Sequence, residues 1–222
     1  MNTYGSAAKE KIINSAREFV YAELGGDSSG HDWWHVHRVT ELAMTIAEKE
    51  SANIFICELA ALLHDVADEK LNKDEETGIN KVKLWLKDNG VDDVTAADIL
   101  EIITTMSFKG GTQKREMSTL EGKIVQDADR LDAMGAIGIS RVMCYAGFKG
   151  RPIHHPDMKP RDNLTLEEYR SGKDTAIMHF YEKLLKLKDT MNTNMGKDLA
   201  EGRHQFLETY LEQFYAEWDA KR

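Results

Sequence analysis

Apolar residues recur at helical spacing through almost the whole chain, and this periodicity constrains the fold more than any other feature. Examples are Ile12, Ile13, Ala16, Phe19 and Val20, then Val39, Leu42, Ala43, Ile46 and Ala47, then Ile79, Val82, Trp85 and Leu86. No segment alternates with period two, so a sheet has nothing to be built from. The expected fold class is all-α, with helices near 6–24, 33–50, 54–67, 77–89, 95–106, 118–146, 174–190 and 196–220. Thr95 with Asp98, and Ser118 with Glu121, read as capping boxes, and Asn89-Gly90 reads as a helix end. A chain of 222 residues, 41% of them hydrophobic, is long enough for one sizeable core, and a single domain is expected. Its helical core would span about 6–147 and its C-terminal helices about 174–220.

Between these lies an expected long loop, 148–173, which holds all three prolines (Pro152, Pro156 and Pro160) and therefore cannot be a regular helix. Its run Lys149-Gly150-Arg151-Pro152-Ile153-His154-His155-Pro156 is basic and ring-rich, which suits a lid or an anion contact. The stripe Phe206, Leu207, Tyr210, Leu211, Phe214, Tyr215 and Trp218 reads as a core face or a homodimer face.

A net charge of -9 argues against a nucleic-acid partner, whose phosphates call for clustered Lys and Arg. A small anionic substrate remains compatible with it, because a bound cation can reverse the potential of one cleft. No apolar stretch is long enough for a membrane span and no signal peptide is visible, so a cytoplasmic protein without a membrane partner is expected. Cys57 and Cys144 lie in apolar helical surroundings without CxxC spacing, which suits reduced core thiols.

Against this apolar background, His64-Asp65 in Ala60-Ala61-Leu62-Leu63-His64-Asp65-Val66 stands out. Burying a carboxylate beside an imidazole is expensive unless a partner satisfies both, and a divalent cation satisfies two Lewis bases at once. A second dipeptide, His31-Asp32, lacks the company described next and is set aside. That company has three parts. His35 and Arg38 share a helix face one turn apart, so one can bind a metal while the other reaches an anion beside it. Asp68 and Glu69 follow the dipeptide by three and four residues from Asp65, on the side a metal-bound water would occupy. Asp127, Asp129 and Asp132 crowd six residues of one helix, with Asp129 and Asp132 on a common face and Asp127 about 200 degrees round from Asp129. Two His and two Asp donors would leave open positions for water and suit Mn, Mg, Fe, Ni, Co or Zn, whereas a closed structural zinc site would normally use cysteine.

The order His35, His64-Asp65, Asp129 resembles the H…HD…D signature of the HD-domain metal-dependent phosphohydrolase superfamily. More narrowly, Trp33-Trp34-His35-Val36-His37-Arg38-Val39, Ala61 to Lys70 and Asp127 to Ala136 are similar to the bacterial YpgQ/YedJ-type HD proteins. The similarity continues through Gly150 to Pro156 and Arg203-His204, nearly the length of the chain. The resemblance implies an all-α HD domain with one divalent cation in its helical core, manganese being the favoured metal. It implies His35, His64, Asp65 and Asp129 as ligands, the last from its Ala128-Asp129-Arg130 context, with Asp132 the alternative if the register is one turn off. The related guanosine tetraphosphate hydrolases carry Glu-Asp where this chain has Asp68-Glu69, and the inverted order leaves the catalytic role open between the two.

The activity implied is hydrolysis of nucleoside or deoxynucleoside triphosphates with release of pyrophosphate. In it Asp68 or Glu69 accepts a proton, Arg38 steadies charge, and Lys109, Arg151, His154 or His155 hold the remaining phosphates. A nucleotide phosphomonoesterase or phosphodiesterase would use the same metal shell, and a non-catalytic nucleotide-sensing HD domain is the reading from another class.

Overall fold

The computed structural model describes residues 4–25, 32–68, 71–106, 116–161 and 174–222. Among the described residues every regular element is a helix. In chain order these are α1 (Ser6–Leu24), α2 (Trp33–Glu50), α3 (Ile54–Leu63), a 3-10 turn His64–Ala67, α4 (Glu75–Asp88), α5 (Asp93–Met106), α6 (Leu120–Asp132) and α7 (Gly135–Phe148). The chain ends in α8 (Ala176–Glu182), two short 3-10 turns at Leu184–Lys186 and Lys188–Thr190, and α9 (Asn194–Trp218). No described helix is long and apolar enough to cross a membrane.

The described residues cluster into two compact units, the first reaching to residue 128 and the second running from residue 129 onward, so that α6 is shared by both. The first unit is organised around α3. Phe55, Cys57 and the run from Leu59 to Leu63 are all buried, as a largely apolar helix must be, while Glu58 pairs with Arg17. Helices α1, α2 and α5 surround it. Ala43 and Ala47 of α2, and Ala60 and Ala61 of α3, are small and fully buried, which suits close packing of the two. The start of α6 belongs to this unit too, since Glu121 accepts from the amide of Asn53, the residue that caps α3, at 3.0 Å.

The second unit pairs α7 with α9 and packs α8 beside α7. The aromatic stripe of α9 divides between interior and surface. Leu207 and Leu211 are buried and Tyr210 stacks on Phe180 of α8, whereas Phe206 and Trp218 are exposed.

Several expected boundaries move, each for a local reason. The expected helix 54–67 is α-helical only to Leu63, because a 3-10 turn begins at His64 and Asp68 is extended, with φ -62 and ψ 135. Asn72 holds that turn, its amide donating to the carbonyls of Val66 at 2.8 Å and Asp68 at 2.9 Å. Gly78 of α4 closes over it, where a Cβ would come within 2.6 Å of the Ala67 carbonyl oxygen. The expected helix 118–146 breaks at Ala133-Met134, where Gly135 takes φ +65, a left-handed conformation no α-helix continues through. The expected helix 174–190 stops at Glu182. Lys183 leaves helical geometry at φ -135 and ψ -59, and the following 3-10 turn brings Leu184 into the core.

Neither expected capping box forms. The cap before α5 is Asp92, whose carboxylate accepts from the amides of Val94 and Thr95, each at 3.1 Å. The cap before α6 is Thr119, which accepts from Gly122, while Ser118 donates to Glu101 at 2.8 Å. Asn89 does end α4, with Gly90 at φ +71. Cys57 is a buried free thiol as expected, but Cys144 is exposed on α7 and is not a core residue.

Candidate metal centre

Three elements bring the donors together. Helix α2 supplies His35 one turn from its start, and the start itself is fixed by Asp32, whose carboxylate accepts from the His35 amide at 2.9 Å. Asp32, set aside with the dipeptide His31-Asp32, thus determines where His35 stands, and an Asp three residues ahead of a helix-entry residue is the signal that marked it. His31 lies outside the described residues. The end of α3 supplies His64 and Asp65, in the 3-10 turn held by Asn72. The shared helix α6 supplies Asp129.

His35, His64 and Asp129 each offer a ligand atom, and the three atoms lie within 4.8 Å of one another. Asp65 meets the two imidazoles from the side, Oδ2 at 3.4 Å from His35 Nε2 and Oδ1 at 3.3 Å from His64 Nε2. The two rings sit edge to face at 5.5 Å between centroids. The side chains of His35, His64 and Asp65 are only 1%, 6% and 9% exposed, while Asp129 is half-buried.

The protonation of His64 follows from its neighbours. Its Nδ1 lies 2.7 Å from the carbonyl oxygen of Ala61, and a carbonyl can only accept, so Nδ1 carries the proton. In a neutral ring the lone pair is then on Nε2. That atom is buried, has no hydrogen-bond partner among the described residues, and faces a carboxylate oxygen. Two electron-rich atoms turned toward each other in a dry site require positive charge between them. A divalent cation fits this donor set, because two imidazole nitrogens and two carboxylates supply borderline and hard donors whose charge neutralises it.

The remaining expected site residues fall into three groups. Arg38 lies one turn along α2 from His35, half-buried on the same side. Asp68 closes the 3-10 turn, its amide donating to Asp65 O at 3.0 Å, so it follows Asp65 by one 3-10 turn rather than along a continuing α-helix. Glu69 and Lys109 lie outside the described residues.

Arg151, His154 and His155 belong to the second unit, and each is engaged there. The Arg151 guanidinium pairs with Asp174 at 2.8 Å and lies over the Tyr145 ring. His154 presents itself edge-on to Phe214, Tyr215 and Trp218, the nearest centroid at 4.8 Å. His155 is exposed and accepts from the Asp157 amide at 3.3 Å. Asp132, the alternative ligand, is instead an ion-pair partner of Arg141 at 2.9 Å.

The chain also resembles known proteins along most of its length. The HD domain family model matches residues 33–134, the interval that contains His35, His64, Asp65 and Asp129. The chain is similar to the uncharacterized protein YpgQ of Bacillus subtilis, 42% identical over 204 residues that cover 91% of this chain and 92% of that protein. It is also similar to a solved HD-superfamily hydrolase from Bacillus thuringiensis, with 47% identity, a TM-score of 0.77, and coverage of 96% of this chain and 99% of that one. A structure of Bacillus subtilis YpgQ in complex with ADP superposes with a TM-score of 0.77 at 38% identity, covering 95% of this chain and 96% of that one.

Proposed function

The chain belongs to the HD domain family and is a metal-dependent hydrolase of that kind, and from this premise we propose that it is a nucleoside or deoxynucleoside triphosphate pyrophosphohydrolase. In this reading His35, His64, Asp65 and Asp129 hold one divalent cation, manganese being the preferred ion. The observation that carries it is the dry meeting of His64 Nε2 with Asp65 Oδ1 at 3.3 Å, beside His35 and Asp129. The ADP complex of the related YpgQ supports a nucleotide as substrate class.

When bound, the cation supplies Lewis acidity to a phosphoryl oxygen and to the attacking water. The chain's own residues do the rest. Ala61, through its carbonyl, keeps the proton on His64 Nδ1 and the donor lone pair on Nε2. A carboxylate oxygen of Asp68 or Glu69 takes the proton of the attacking water, Asp68 being the one that leaves the 3-10 turn directly after the ligand pair. Arg38 donates to the phosphoryl oxygens as negative charge grows on them. Lys109, Arg151, His154 and His155 are assigned to the remaining phosphates. For Arg151 this requires sharing its guanidinium with Asp174, which a five-donor group can do.

The test is to strip the protein of metal, reload it with Mn²⁺, and identify the products from a panel of nucleotides. Nucleoside monophosphate with inorganic pyrophosphate is the expected pair, absent with Asp65→Ala. Release of orthophosphate alone, or equal turnover by the variant, overturns the assignment.

A further inference from the structure

The acidic run Asp127-Ala128-Asp129-Arg130-Leu131-Asp132 ends in a second arrangement that the metal reading does not use. Asp132 is the last residue of α6, and its side chain is 1% exposed. A buried carboxylate at a helix C-terminus is doubly unfavourable, because it loses its hydration and meets the negative end of the helix dipole. Two arginines from later helices offset this. Arg141 of α7 donates to Asp132 Oδ2 at 2.9 Å. Arg203 of α9 acts on Asp132 through its charge, and its Nη1 donates to the carbonyl of Leu131, which also accepts from the Met134 amide at 3.0 Å. Arg130 ties the same turn to a third segment by donating to the Thr190 carbonyl. Arg203 passes close beside Gly135, where a Cβ would lie 3.1 Å from Arg203 Cγ.

Asp129 is on this turn, three residues before Asp132 and on the same face. Left alone, the last turn of a helix frays, and a carboxylate carried on it samples positions that do not ligate. We propose that Asp132, with Arg141 and Arg203, is a positioning clamp that fixes the last turn of α6 and thereby holds the Asp129 carboxylate where it meets the cation. The proposal rests on the metal reading above.

The experiment is calorimetric titration of the metal-free full chain with Mn²⁺, together with the electron paramagnetic resonance spectrum of the bound ion, at a temperature where circular dichroism shows each variant folded. Asp132→Asn and Arg203→Met are expected to weaken Mn²⁺ binding by about 10–100-fold, the range for loss of a group that orients a ligand, and to alter the spectrum. Arg203→Lys is expected to recover part of the loss. Mn²⁺ binding by folded Asp132→Asn as tight as that of the wild-type protein overturns the clamp. Should Arg203→Met fail to fold, Asp132→Asn, which keeps the shape of the side chain, decides alone. Wild-type protein that binds Mn²⁺ no better than a His64→Ala variant overturns the metal reading itself, a different result from wild-type binding that the clamp variants share.

Discussion

His64 Nε2 lies 3.3 Å from Asp65 Oδ1 without a hydrogen bond between them, while His64 Nδ1 is held 2.7 Å from the carbonyl of Ala61. Both residues stand at the start of the 3-10 turn His64–Ala67. Replacing either side chain removes a donor that no other described residue supplies in the same place. Asp65→Ala and His64→Ala are expected to lose bound metal, measured on protein passed through a desalting column. Nucleotide hydrolysis should fall by more than about 100-fold, beyond the loss seen when only a supporting partner is removed.

Gly135 separates α6 from α7 at φ +65. An L-residue in that conformation costs about 1–2 kcal/mol, and the added methyl also crowds Arg203. Gly135→Ala should therefore lower Tm by about 2–4 °C for each kcal/mol lost, read by thermal unfolding of metal-free protein.

Asp92 accepts from Tyr4 Oη at 2.6 Å and from two amides at the start of α5, and these bonds, that from Tyr4 first, hold its carboxyl down to about 2. A depressed folded-state pKa gives stability that is present above the unfolded value of about 3.9 and is lost as pH falls toward the folded one. Asp92→Ala should cost about 1 kcal/mol at pH 7, the usual worth of a helix cap. The gap between variant and wild type should stay constant from pH 5 to 8 and close between about pH 4 and 2 in urea titrations. A gap that widens on acidification would contradict the assignment.

Cys57 is buried in α3, and burial together with the charge of Glu121 pushes its thiol up to about 12, whereas Cys144 is exposed. A thiol reagent at pH 8 should modify Cys144 alone in native protein and both cysteines after denaturation, counted by mass spectrometry. Rapid native labelling of Cys57 would show that α3 is not the packed centre of the first unit.

Much of the molecule is determined by the sequence itself, because helix formation and amphipathic burial are local. The period of the apolar residues is enough for α1, α2, α4 and α9, whose observed limits lie within about two residues of the expected ones. Within the site, the residue types and order point to His35 and His64-Asp65 but leave Asp129 and Asp132 as alternatives, and the structure puts His35, His64 and Asp129 in one cluster with Asp65 beside the two histidines.

What local pattern does not hold is whatever depends on a distant partner. The 3-10 turn at His64 is held by a side chain, the Asn72 amide on the carbonyls of Val66 and Asp68, which the apolar period does not encode. The break after Asp132 is written in Gly135 but is meaningful only once Arg203, far along the chain, must pass beside it. The three carboxylates of the acidic run look alike in sequence. Only the tertiary structure assigns Asp129 to the histidines and Asp132 to the arginines, since a buried charge is defined by the neighbour that satisfies it.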